Sequence, residues 1–298
     1  MNESHLCEII AAHASPMEAR GTDVEPVLSE LHGIRAVLFD VYGTLVISGS
    51  GDVGTTDLDS RPQAFPEALS AVGVPFNGAG EEGVRLLTEV IAEHHRQSKS
   101  EGVEFPEVDI REVWSDVLLA MVERDWVLAD AVSGHSIDVS SLALEYEVRT
   151  NPTWPMPGAE ACLDRLRQAG LLLGIVSNAQ CFTPLLFDTQ LGRSLDEFGF
   201  DESSCVWSFE HKQAKPGTFL YERAKEAVAE QGIAAREVLF VGNDMLKDVW
   251  PASRVGFRTA LFAGDASSYR PREDDARVAN VTPDLVLTEL AQLPKCVR

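Results

Sequence analysis

Five short apolar runs punctuate the chain, at 35–39, 171–176, 205–207, 238–241 and 259–262. None of them alternates with polar residues, and turn formers bound each one, so they read as strands buried on both faces. Helical spacing fills the intervals. A helix is expected over about 158–169, closed by Gly170, and another from Pro216 to about 231 with the proline as its first residue. Strands alternating with helices predict βαβ units and an α/β fold with a Rossmann-like parallel sheet.

Residues 61–150 break that rhythm. Ala68, Leu69, Val84, Leu87, Val113, Val117, Leu142 and Val148 recur at helical intervals with no buried strand among them. The segment reads as an inserted all-helical unit of four helices, hinged at 46–60 and again at Asn151–Pro157. The expected organisation is an arm over 1–33, a core over 34–60 and 151–298, and the insertion between. In the arm, Leu6, Ile9 and Ile10 suggest one short helix and Pro26 to Leu31 another. Trp114, Trp126 and Trp154 read as core anchors, and the adjacent His94 and His95, which cannot share a helix face, as solvated residues.

The 298 residues exceed one ordinary domain, which suits a core with a smaller second unit. Forty-seven acids against 25 bases give a net charge of −22 and argue against nucleic acid and anionic membranes as partners. Five scattered cysteines without C-x-x-C spacing suggest reduced thiols. No apolar stretch approaches membrane-spanning length and no secretory leader is visible, so a cytoplasmic protein acting on a small molecule is expected.

Candidate chemistry gathers at the ends of the apolar runs, where open α/β sheets bind their ligands. Asp40 follows the first run and offers a carboxylate nucleophile; Gly43 lets the chain turn, and Thr44 adds a hydroxyl. Ser177 and Asn178 end the second run. Lys215 supplies a positive charge for a developing anion. Asp244 and Asp248 follow the fourth. Carboxylates converging on one point repel unless a cation joins them, and Mg²⁺ is the expected one. The loop from Ile47 to Gly54 formally spells G-x-G-x-x-G at Gly49, Gly51 and Gly54, but no helix start follows it, so a flap over Asp40 is the better reading than a nucleotide site.

Asp40-Val-Tyr-Gly-Thr-Leu45, Ser177-Asn178, Lys215-Pro216 and Gly242-Asn-Asp-Met-Leu-Lys-Asp248 together resemble the four motifs of the haloacid dehalogenase (HAD) superfamily, and the insertion resembles its C1 cap. The resemblance implies an aspartyl nucleophile and a covalent intermediate, with Asp40, Thr44, Ser177 and Lys215 catalytic. It implies substrate contacts from Tyr42, Gly43, Asn178 and Tyr221, and a Mg²⁺ site from Asp40, Tyr42, Asp244 and Asp248. Most members are Mg²⁺-dependent phosphohydrolases, here expected to act on a small phosphorylated metabolite. Two positions depart from that pattern. Tyr42 replaces the usual acid/base Asp, as in the metal-independent 2-haloacid dehalogenases, which Tyr221 also suits. Asn243 replaces the usual first Asp of the fourth motif. A dehalogenase would need a cap arginine, for which Arg61 and Arg85 are available. A member that binds a phosphorylated ligand without turning it over is the third reading.

Overall fold

Val37 and Phe39 point into one apolar cluster and Ala36 and Leu38 into another, on opposite faces of a single strand. That two-sided burial is why the run does not alternate. The computed structural model describes residues 2–50, 61–133 and 137–297. Its elements, in chain order, are α1 (Glu3–His13), β1 (Ala36–Phe39), β2 (Val46–Ser48), α2 (Ala64–Ala71), α3 (Gly80–Ser100), α4 (Ile110–Glu123), α5 (Ala129–Ser133), α6 (Val139–Thr150), β3 (Thr153–Pro155), α7 (Ala159–Gln168), β4 (Leu172–Ser177), α8 (Leu195–Phe198), β5 (Phe200–Trp207), α9 (Ser208–His211), α10 (Phe219–Glu230), β6 (Val238–Gly242), α11 (Trp250–Arg254), β7 (Arg258–Phe262), β8 (Leu285–Leu287) and α12 (Leu293–Cys296).

Six parallel strands form the central sheet in the order β5-β4-β1-β6-β7-β8. The chain leaves β1 to build β4 and β5 on one side, then crosses to build β6, β7 and β8 on the other. The switch in direction at β1 opens a crevice at the carboxyl ends of the strands, where a ligand fits. Leu220, Tyr221, Ala224 and Val228 of α10 cover one face of the sheet. Leu163 and Leu166 of α7 belong to the larger cluster on the other.

Five helices, α2 to α6, lie between β2 and β3 among the described residues, where four were expected. The additional one is the single-turn α5, too short for periodicity to register. Phe65, Trp114 and Tyr146 stack at their centre, with Trp114 ring centroids 5.3 and 5.5 Å from its two neighbours. An antiparallel β2–β3 ladder carries the chain into and out of these helices. A second junction lies elsewhere: Ala214 N–H donates to Phe105 C=O at 2.8 Å, and Glu107 N–H to Lys212 C=O at 3.1 Å. Gln180 clasps the same stretch through Val108 C=O and Ile110 N–H. His94 pairs with Asp116 at 2.8 Å near the surface.

Two expectations for local structure are corrected. Pro26–Leu31 is not a helix: Val27 and Val286 exchange hydrogen bonds of 2.9 and 3.0 Å, so the segment covers the edge of β8, whose main-chain groups would otherwise be unpaired. Pro216 does not open a helix either. It stands three residues ahead of α10, and its peptide bond to Lys215 is cis. The arm is also less detached than its sequence suggests, because Leu6, Ile9 and Ile10 are buried where α1 meets α6 and the turn at 187–191. All five cysteines are free. No described helix is long and apolar enough to cross a membrane. The glycine loop reaching Gly51 and Gly54 lies outside the described residues.

Candidate active site

β1 ends beside β6, and the Asp40 N–H continues the ladder to Val241 C=O at 2.9 Å, which fixes the main chain that carries the carboxylate. Gly43 then takes φ +81°, and a side chain there would strike the Asn243 amide at 2.7 Å, so only glycine makes this turn. Thr44, fully buried, donates to Asn243 Oδ1 at 3.4 Å and ties the first cluster to the fourth.

β4 delivers Ser177 and the loop before α10 delivers Lys215. Ser177 Oγ donates to Asp40 Oδ1 at 3.0 Å, and Lys215 Nζ donates to the same oxygen at 2.8 Å. No described residue donates to Asp40 Oδ2. Lys215 Nζ also reaches Asp248 Oδ1 at 2.7 Å, so one ammonium serves two carboxylates. Burial works against the Lys215 ammonium, but Asp248 and Asp40 outweigh it and hold the lysine above its usual range. Burial pushes Asp248 up to about 7; the lysine opposes the rise, and the nearby Asp40 and Asp244 add to it. The group as a whole is one positive charge short, and its protons are shared rather than owned by single residues.

Asp248 is held from several sides. Its Oδ2 accepts the Asp244 N–H at 3.0 Å, and Tyr221 Oη approaches Oδ1 at 3.4 Å while donating to Lys247 C=O at 2.7 Å. Tyr221 is fully buried and its ring lies 5.8 Å from the lysine ammonium, so it braces Asp248 from beneath instead of meeting substrate. Asn178 likewise supports the machinery: its Oδ1 accepts the Lys215 N–H at 2.8 Å and sets where the lysine starts.

Asp244 departs from expectation. Its Oδ1 caps the turn at 245–249 by accepting the Leu246 and Lys247 N–H groups at 2.8 and 3.1 Å, and Arg272 grips both oxygens, the shortest contact being 2.6 Å. A carboxylate beside a backbone nest and a guanidinium has no reason to turn toward Asp40. The Tyr42 side chain is turned away from Asp40 Oδ1 and its partners. Its buried phenol bonds Thr183 Oγ1 at 3.0 Å, and burial, with the Glu147 charge next in weight, raises it far above the ordinary tyrosine range. Mg²⁺ needs several oxygens in octahedral array. Both oxygens of Asp248 and both of Asp244 already accept hydrogen bonds, so a cation here would draw on the free Asp40 oxygen and on the lone pairs that these donors leave open. No cluster of three acidic, histidine or cysteine ligands occurs among the described residues. Arg61 donates to Arg149 C=O and Arg85 faces Glu89, both with exposed side chains.

Sequence reasoning missed Arg272, Thr183 and Gln180. Only Arg272 carried a local irregularity, a positive φ of 52°, and that is visible in the fold alone.

The sequence matches the family model for haloacid dehalogenase-like hydrolases over residues 34–256. No curated protein matches it. Among solved structures, a 2-haloacid dehalogenase from Pseudomonas syringae pv. Tomato is similar with a TM-score of 0.54 at 20% identity, covering 88% of this chain and 97% of that one. A HAD phosphatase from Thermococcus onnurineus follows at TM-score 0.51 and 19% identity, with the same coverages of 88% and 97%. An L-2-haloacid dehalogenase aligns at TM-score 0.50 and 22% identity, again over 88% and 97%.

Proposed function

Because the chain belongs to the haloacid dehalogenase-like hydrolase family, we propose that it is a covalent hydrolase in which Asp40 displaces a leaving group that departs without a proton, as halide does from carbon. The observation that carries this reading is the Tyr42 phenol, buried against Thr183 and held protonated, where a phosphatase would keep a carboxylic acid. Ser177 and Lys215 neutralise Oδ1 and leave Oδ2 to attack. The carbon–halogen bond breaks with its electron pair on the halide, and a carbon–oxygen bond to Oδ2 forms. Water then adds to the carboxyl carbon of that ester. In this reading Asp248 takes the water proton and returns it to the departing alkoxide, so the product alcohol carries Oδ2 away, and Asp40, now holding the water oxygen, loses its remaining proton to solvent.

A Mg²⁺-dependent phosphohydrolase is the second reading. It is favoured by the acid pair Asp244 and Asp248 on one loop, and by a partner of Asp244, Arg272, that is itself a third exposed. Halide release from a panel of organohalides and phosphate release from aryl and alkyl phosphates, each with and without EDTA, separate the two. Chelator-insensitive halide release supports the first; phosphate release that EDTA stops and Mg²⁺ restores replaces it with the second.

A further inference from the structure

The chain leaves β7 through Ala263 and Gly264 and reaches Asp265, a buried carboxylate at the same end of the parallel sheet as Asp40. Its Oδ1 accepts the N–H groups of Arg20 and Ser267 at 3.0 and 3.3 Å, and its Oδ2 accepts the Ser268 hydroxyl at 3.1 Å. All three donors are neutral, and the Arg20 guanidinium bonds the Ser267 hydroxyl instead. A hydrogen bond to an ionised carboxylate is stronger than one between neutral groups, so the Ser268 side chain is firmly anchored. Tyr269 N–H closes the turn on Asp265 C=O at 2.9 Å.

Ser268, fully buried, faces two parts of the Asp40 site. Its C=O accepts Asn243 Nδ2 at 2.6 Å, which turns the amide so that Oδ1 meets the Thr44 hydroxyl. Its Cβ abuts Gly43: a methyl group on that glycine would stand 2.7 Å from Ser268 Cβ and 2.7 Å from Asn243 Nδ2. The turn that follows the nucleophile therefore rests on Ser268 and Asn243 together. Main-chain bonds hold the same loop in register, from Arg270 N–H to Asn243 C=O at 3.0 Å and from Met245 N–H to Arg270 C=O at 2.9 Å. The contact also explains why residue 243 is an amide. An aspartate there would set a carboxylate oxygen, with no proton to give, against the Ser268 C=O. We propose that Asp265 is a positioning residue that, through Ser268 and Asn243, holds the Gly43–Thr44 turn beside Asp40. The kinetic consequence rests on the Asp40 reading; the placing of the Asn243 amide does not.

Asp265→Ala should lower kcat about tenfold and leave KM within about threefold, as for machinery set slightly out of place for the transition state. The loss should not add to that of Thr44→Val, because the hydroxyl that Asp265 orients is then absent. A residue that only stabilised the fold would add its full loss to Thr44→Val. Should Asp265→Ala fold poorly, Ser268→Ala removes the anchored hydroxyl alone and should give the same two readings. An unchanged kcat, a loss confined to KM, or a loss that adds in full to Thr44→Val overturns the assignment. Should no substrate be turned over, the Asp40 reading fails, and nuclear magnetic resonance of the full chain decides the placing of the amide. The Asn243 side-chain amide signals, identified by their absence in Asn243→Asp, should exchange with solvent at least about tenfold faster in Asp265→Ala or Ser268→Ala. Exchange at the wild-type rate in both variants overturns the assignment as well.

Discussion

The Asp248 carboxyl group lies directly against Gly242, so close that a methyl group on Gly242 would stand 2.4 Å from its carboxyl carbon. Gly242→Ala should therefore push Asp248 off Lys215. The expected cost is about 1–3 kcal/mol in denaturant unfolding, the usual scale for overpacking a tight interior. Turnover should fall far more than stability does. A variant with wild-type kinetics would mean that the Asp248 position does not matter to the reaction.

Asp40→Asn should retain the fold, since an amide oxygen still accepts from Ser177 and Lys215, while turnover disappears for want of a nucleophile. Circular dichroism and a thermal melt check the fold. More than a few per cent residual activity would remove Asp40 from its assigned role.

The acid side of the pH–rate profile should follow the coupled Asp40–Lys215–Asp248 group, in which Asp248 is the raised carboxyl. With its carboxyl raised to about 7, the basic form gains population as pH rises through that value, so the rate should climb with it. Tyr42, raised well beyond the alkaline range, should impose no basic limb below pH 10. Tyr42→Phe should leave the profile in place and lower stability by about 0.5–1.5 kcal/mol through the lost Thr183 bond. A basic limb that vanishes in Tyr42→Phe would restore the phenol as a proton carrier.

Arg272→Ala removes the guanidinium from Asp244. Stability should drop by about 1–3 kcal/mol, as for a lost charged hydrogen bond. Mg²⁺ affinity should rise, because a carboxylate is released next to Asp248. An Mg²⁺ affinity in calorimetry that Arg272→Ala leaves unchanged would contradict this.

Leu6→Ala tests whether α1 holds the seam between α6 and the turn at 187–191. Leu6 is fully buried there, so truncation should cost about 2–5 kcal/mol. A loss below about 0.5 kcal/mol, the level of an ordinary surface change, would make the helix an appendage after all.

The strands and the Asp40, Ser177 and Lys215 cluster were legible because a buried parallel strand announces itself as an unbroken apolar run, with its chemistry at the carboxyl end. β8 escaped notice: three residues, one of them half exposed, do not make such a run. Asp244 was misplaced for a different reason. Its spacing from Asp248 fits a shared site, but its partner Arg272 stands 28 residues away in sequence, beyond any local pattern. Pro26–Leu31 followed helical spacing and was captured by the open edge of β8, a choice that tertiary pairing makes and local propensity does not.

The two oxygens of Asp40 are not interchangeable, because Oδ1 is pinned by Ser177 and Lys215 together while Oδ2 is free of described partners. A carboxylate so gripped cannot spin about its carbon bond between catalytic cycles. In isotopically heavy water, each cycle would then replace the same atom, the one that departed with the previous product. After many cycles a peptide containing Asp40 would carry a single heavy oxygen. A freely rotating group would exchange both.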